Sequence, residues 1–286
     1  MSTPLAALTS ALRCGPPWIA GVLNVTPDSF SDGGDHLEVA HAIVHGAQLI
    51  ADGANIIDIG GEATGPGSQP VSAEVEIQRI DKVVRSLGRS AFLSIDTYKS
   101  QTAEHCLAAG ARMINDISGL RADPDLARTV AKHDAFLVIM YSKQTGTSPH
   151  VDNSARAYSD VVQEISEFLL ERAAYAEKQG VSREKIILDP GMGRYVSERA
   201  EDSWELLARM SELVHKTLPY PIFLGTSRKG FLGGRLSERD PLSQLTATIA
   251  VERGVSIIRT HNVKMAKDFF GALHRLSPAP GGKPTE

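Results

Sequence analysis

Short apolar runs rich in β-branched residues recur along the chain, each too brief for a helix and each followed by a polar loop and a stretch of helical period. Eight can be counted, at residues 18–24, 55–61, 92–97, 113–117, 136–141, 186–189, 221–226 and 256–261. Several, such as Asn55-Ile-Ile-Asp58 and Lys185-Ile-Ile-Leu-Asp189, are continuous rather than alternating, the pattern of strands buried on both faces. Between them, Val39, Ile43, Ala47 and Ile50 share a helical face ahead of Gly53, and Ile77, Ile80, Val84 and Leu87 share one ahead of Gly88. Residues 155–180 and 240–254 repeat the device. Strict alternation of strand and helix predicts a parallel α/β fold. Eight units favour closure into a single-domain (β/α)8 TIM barrel over the alternative, an open doubly wound sheet.

Length agrees with that reading, since 286 residues lie near the roughly 250 of such barrels. The division expected is an N-terminal extension over 1–17, the barrel over 18–276, and a Pro- and Gly-rich tail over 277–286 without fixed structure. Hydrophobic and charged fractions of 42% and 22% suit a soluble globular protein, and no apolar run approaches the ~18 residues of a membrane span. A net charge of -4 provides no basic field for nucleic acid, so positive charge that matters must be local. The two cysteines, Cys14 and Cys106, lack CxxC spacing, and no charged start leads into an apolar leader. A cytoplasmic protein with structural thiols is expected.

Barrels of this kind carry their chemistry at the C-terminal ends of the strands. Here those ends supply Asn24, Asp58, Glu62, Asp96, Asn115, Asp116, Tyr141, Asp189, Ser227-Arg228-Lys229, Arg259 and His261. Each alone reads as a cap or turn former, but their convergence on one mouth points to a site. Asp96, Asn115 and Asp189 offer carboxylate and amide groups, the complement of a flat heterocycle with donor and acceptor edges, and Lys229 can answer a ring acceptor. Arg259 and His261, alternate residues of one run, point the same way and suit a di-anionic group. Asn24 either joins them or holds a hydrated Mg2+. No nucleophile with an attendant base stands out. The residues lead to a phosphate-bearing heterocycle and catalysis by positioning and charge stabilisation, and they leave the reaction open.

The loop Gly21-Val-Leu-Asn-Val-Thr-Pro-Asp-Ser-Phe-Ser-Asp-Gly-Gly34 is followed in order by Asp58-Ile-Gly-Gly-Glu-Ala-Thr-Gly-Pro-Gly67, Ser94-Ile-Asp-Thr97, Ile114-Asn-Asp-Ile117, Leu188-Asp-Pro-Gly-Met-Gly193, Ser227-Arg-Lys229 and Ile258-Arg-Thr-His261. Over about residues 18–275 the chain resembles the dihydropteroate synthases, the pterin-binding barrels of folate biosynthesis. The resemblance implies a transferase that condenses 6-hydroxymethyl-7,8-dihydropterin diphosphate with 4-aminobenzoate, giving 7,8-dihydropteroate and diphosphate, with Mg2+ and as a homodimer. It implies that Asp96, Asn115, Asp189 and Lys229 bind the pterin, and that Asn24, Thr64, Arg259 and His261 bind the diphosphate, Asn24 also ligating the metal. Phe30, Ser227 and Thr64 would frame the aminobenzoate. Lys229, Arg259, His261 and Asp96 would be catalytic, in a dissociative displacement without a covalent enzyme intermediate.

The chain departs from the family pattern at four places. Gly65 stands where an arginine is usual, Arg194 where an aromatic or apolar residue is, Tyr141-Ser142-Lys143 where a His-Met start is, and Asn262 where an aspartate is. Arg194 is a candidate to supply the charge missing at Gly65. Gly33, Gly34, Gly65 and Gly67 suit mobile loops over the mouth. The aminobenzoate side is therefore expected to be atypical, with reduced sulfonamide sensitivity. Two other readings are a pterin-dependent methyltransferase barrel, which has no need of Ser227-Arg228-Lys229, and a non-catalytic pterin-binding paralogue. Gly65 and Tyr141 favour the paralogue; Asn24, Lys229, Arg259 and His261 count against it.

Overall fold

The computed structural model describes residues 16–26, 35–64, 68–144 and 156–276. Phe30, Cys14, the glycines at 33, 34, 65 and 67, and the 277–286 tail lie outside the described residues. Among the described residues eight strands form one sheet: β1 (Trp18–Asn24), β2 (Ile56–Gly60), β3 (Phe92–Asp96), β4 (Met113–Asp116), β5 (Phe136–Met140), β6 (Ile186–Asp189), β7 (Phe223–Leu224) and β8 (Ile257–Thr260). Their order is β6-β5-β4-β3-β2-β1-β8-β7, and every pairing is parallel. A single bridge from Leu188 to Ile222, with the Leu188 N–H donating to the Pro221 carbonyl at 3.0 Å, joins the two ends and closes the barrel. The open-sheet alternative is thereby excluded. Each strand matches an expected run, β1 and β6 at the expected bounds and the others trimmed; β7 is shortest because only two residues of 221–226 pair regularly with β8.

Alternation along the strands separates two apolar shells. Ala20, Ile56, Met113, Phe136, Val138, Ile187, Phe223 and Ile257 pack inside the barrel, with Trp18 and Phe92 against them at one end. The intervening residues, among them Leu23, Ile57, Leu93, Ile114, Leu137 and Leu188, face the helical coat. Continuous apolar runs are what this double burial demands. Toward the C-terminal ends the inward positions turn polar. Asn24, Gly60, Asp96 and Asn115 are successive register partners, which sets three polar side chains at one level of the mouth.

Nine helices coat the barrel among the described residues: α1 (Asp35–Asp52), α2 (Ala73–Leu87), α3 (Ser100–Ala108), α4 (Leu126–Lys132), α5 (Val161–Lys178), α6 (Ala200–Ala208), α7 (Met210–Lys216), α8 (Asp240–Glu252) and α9 (Val263–Leu276). Helix α5 starts later than residue 155, because Asp160 caps it by accepting from the N–H groups of Val162 and Gln163. On α1 the fully buried line is Ala42, Gly46 and Leu49; Val39, Ile43 and Ile50 of the expected face pack half-buried beside it, and Ala47 is exposed. Gly46 lets α1 lie close, since a Cβ there would collide with Leu87. Gly88 ends α2 without the left-handed conformation expected of a glycine stop, at φ -62°, whereas Gly53 ends α1 at φ 106°. Cys106 is fully buried, and burial pushes its thiol up to about 12, as befits a structural cysteine. No helix among the described residues is long and apolar enough to cross a membrane.

Candidate active site

A cavity of about 240 Å³ opens at the C-terminal mouth of the barrel. It is lined by Asn24, Thr64, Asp96, Asn115, Asp189, Ser227, Lys229, Arg259 and His261, so every expected site residue within the described chain meets there. Phe30 lies outside the described residues. The strands bring Asn24, Asp96, Asn115, Asp189 and Arg259 to the mouth, and the short turns after β7 and β8 bring Ser227, Lys229 and His261.

Other polar strand ends do different work. Asp116 is fully buried and accepts from the N–H groups of Ser118 (2.8 Å) and Leu120 (2.5 Å), shaping the turn after β4. Tyr141 points outward, its ring packed edge-on against Phe168 with centroids 5.2 Å apart. Arg228 turns away to Asp240 at 2.8 and 3.1 Å. Asp58 lies beneath the cavity, where its Oδ2 accepts from Arg259 Nε at 2.6 Å and Asn115 Nδ2 at 3.2 Å. Glu62 does reach the cavity, and it also accepts from the Tyr98 hydroxyl at 2.8 Å and pairs with Lys99.

The electrostatics are those of charge held out of water. Burial lifts Asp96 to about 7 against the pull of Arg259, whose Nη2 lies 3.0 Å from its Oδ2. Burial raises Asp189 to about 6, opposed by the Gly191 N–H at 2.7 Å and by Lys229. Lys229 is lowered to about 8 by burial and by Arg259. Burial also works against the charge on Arg259, but Asp58 and Asp96 overcome it and hold this guanidinium well above its ordinary value. Burial and the neighbouring Arg259, Arg228 and Lys229 depress His261 to about 3, so its imidazole is neutral. Ser227 Oγ accepts the His261 backbone N–H at 3.2 Å and lies 2.9 Å from Nδ1. If the hydroxyl proton goes to Nδ1, the ring proton sits on Nε2 as a neutral donor. Asn115 Oδ1 is buried without a hydrogen-bond partner, an acceptor awaiting a donor.

Several contributors escaped sequence reading, Tyr195 foremost. It belongs to the short 3-10 turn Gly193–Tyr195 after β6, its hydroxyl lies 3.0 Å from Thr64 Oγ1, and Lys229 Nζ sits 4.7 Å from its ring centroid. The preceding turn requires Gly191, at φ 68°, because a Cβ would come within 2.6 Å of the Tyr141 carbonyl oxygen. A wider cleft of about 680 Å³ adjoins the cavity and shares Thr64, Met192, Tyr195 and Lys229 with it. Arg194 lines this outer cleft and not the inner cavity; half-exposed, it lies 3.6 Å from Glu198.

Comparison with known proteins agrees with this geometry. A family model described as pterin binding enzyme matches residues 20–261. The dihydropteroate synthase of Streptococcus pyogenes serotype M3 is 38% identical over 266 residues, covering 90% of this chain and 95% of that protein. Among solved structures, a Clostridium difficile dihydropteroate synthase with pteroic acid superposes with a TM-score of 0.82 at 37% identity, covering 91% of this chain and 97% of that one. The Xanthomonas albilineans enzyme with 4-aminobenzoic acid gives 0.84 at 34% identity, covering 93% and 94%.

Proposed function

The chain belongs to the pterin-binding enzyme family, among its dihydropteroate synthases, and from this we propose how its own residues condense 6-hydroxymethyl-7,8-dihydropterin diphosphate with 4-aminobenzoate. The observation that carries the reading is one cavity in which Asp96, Asn115, Asp189 and Lys229 stand beside Asn24, Arg259 and His261. A pterin ring has N–H groups for the two carboxyls and for the unpartnered Asn115 Oδ1, and a ring acceptor for Lys229. Two donors of Arg259 are taken by Asp58 and Asp96, which fixes the plane of the fork and leaves the rest for a phosphate oxygen. In the tautomer with the Ser227 hydroxyl donating to Nδ1, His261 Nε2–H gives a second donor. The diphosphate leaves with both electrons of its bond to the exocyclic carbon, the pterin ring spreads the positive charge, and the arylamine attacks and then loses a proton.

Mg2+ fits the site in a limited way. Among the described residues no group of three or more His, Cys, Asp or Glu side chains could hold a metal, but this ion keeps most of its water and needs only one or two protein oxygens beside substrate phosphates. Asn24, at the cavity rim, would supply that oxygen. When bound, the ion offsets charge on the departing diphosphate.

Thr64 and Ser227, at the same mouth, would frame the aminobenzoate, with Phe30 from the first loop. The reading extends to a cytoplasmic homodimer, on family resemblance. It also extends to weaker sulfonamide binding, on the replaced loops after β5 and β6. The test is dihydropteroate formation by the purified protein, followed by mass, with each substrate omitted in turn and with a chelator. Product that requires both substrates and falls with the chelator is expected; pterin binding without product would move the reading to a non-catalytic paralogue.

A further inference from the structure

Asp58 stands on β2, two strands from Asn115 on β4 and two from Arg259 on β8. Its own register partners are Val22 and Ser94, so only side chains reaching across the barrel floor can join the three. They meet at one atom: Asp58 Oδ2 accepts from Arg259 Nε at 2.6 Å and from Asn115 Nδ2 at 3.2 Å. Asp58 is fully buried, and its Oδ1 has no partner among the described residues. A buried carboxylate oxygen without a partner costs stability, so Asp58 is better accounted for by what Oδ2 holds in place.

The chemistry of that oxygen constrains both neighbours. Held by a guanidinium N–H, it has only lone pairs to offer, so the Asn115 amide must turn its NH2 toward it. Asn115 Oδ1 is then directed elsewhere; it is the buried atom left without a partner, on a residue that lines the inner cavity. An amide has two ends of nearly equal size and opposite hydrogen-bonding character, and without Asp58 nothing on this side would choose between them. By taking Nε, the same oxygen also sets how the guanidinium lies, and Asp96, 3.0 Å from Nη2, completes the hold.

We propose that Asp58 is a positioning residue that sets the donor–acceptor polarity of the ring-binding pocket: it turns the Asn115 oxygen toward the ligand and, from the same atom, orients the Arg259 fork that faces the leaving group. The proposal rests on the condensation reading above. It ties ring and diphosphate to one point on the barrel floor, so the bond that breaks is held from both ends.

The test compares the dissociation constant of 6-hydroxymethylpterin, which carries no phosphate, and the steady-state kinetics in full-length wild type, Asp58→Asn, Asn115→Ala and the double variant. Asp58→Asn keeps the shape but can donate as well as accept, which frees the Asn115 amide to reverse. It is expected to weaken pterin binding about tenfold and lower kcat about tenfold or more, with KM for 4-aminobenzoate within about twofold. In the Asn115→Ala background the same substitution is expected to change the pterin Kd by less than about twofold, because the group it acts through is gone. Asn115→Asp keeps an oxygen toward the ligand and sets another against Asp58 Oδ2; it is expected to lose about tenfold in pterin binding, although the acceptor remains. Should Asp58→Asn fail to fold, Asn115→Asp carries the comparison. Pterin binding near wild type in either folded variant overturns the proposal. So does a loss on Asp58→Asn that persists in full without the Asn115 side chain, the result of a purely structural role. Pterin binding is read without turnover, so a wild-type protein that makes no product counts against the condensation reading alone, and the binding cycle still decides the role of Asp58.

Discussion

Asp189 shows what the site costs the fold. Burial holds its carboxyl up at about 6, above the ordinary 3.8, so the native state binds more protons than the unfolded chain between these values. The stability this group contributes is complete below about pH 4 and is lost as pH rises through about 6. Asp189→Asn keeps the oxygen that accepts from Gly191 and removes the titration. Urea unfolding without ligand should therefore find the variant more stable than wild type by about 1 kcal/mol or more near pH 7.5, with no gain near pH 4. A gain that persists in acid would contradict a buried, raised carboxyl. At this scale the sequence was informative wherever a polar residue closed an apolar run, as Asp96, Asn115 and Asp189 do. It was silent on direction: Tyr141 closes a run equally well but faces outward, and Asp116 bonds its own turn. Tyr195 lay in a turn without periodicity, and only proximity to Thr64 and Lys229 marks it.

Among the elements, the starts of α8 and α9 are joined through one side chain. Asn262 Oδ1 accepts the Met265 N–H at 3.1 Å, capping α9, while Nδ2 donates to Asp240 Oδ2 at 3.2 Å in the first turn of α8. The departure at this position thus has a physical reason. An aspartate would cap as well, but it would set a second carboxylate against Asp240, which already holds Arg228 at 2.8 Å. Asn262→Asp is expected to cost about 1 kcal/mol at neutral pH and to recover part of it at high salt, whereas Asn262→Ala loses about as much through the cap, independently of salt. Urea midpoints at two salt concentrations separate the two. The strands were legible because double burial leaves continuous apolar runs. The helices were legible only approximately: the buried line of α1 runs through Gly46, which carries no hydrophobic signal and is chosen for close approach to Leu87.

For the whole molecule, the sequence implied closure from the number of units, yet the closing contact, Leu188 to Ile222, is a single bridge that no periodicity announces. Closure is what lets distant residues converge: Asp58, Asp96 and Arg259 come from three strands and form one ion-paired cluster under the mouth. Packing fills the barrel below that cluster with apolar side chains, so a ligand can enter only at the polar end. Reaction of the pterin diphosphate at this mouth is tested by the steady-state rate of dihydropteroate formation in the wild-type protein beside Lys229→Ala and Asp96→Ala, each checked for folding. The wild type is expected to turn over and each variant to lose about a hundredfold or more in kcat/KM for the pterin diphosphate. Variants that keep rates near wild type would show that the chemistry takes place elsewhere.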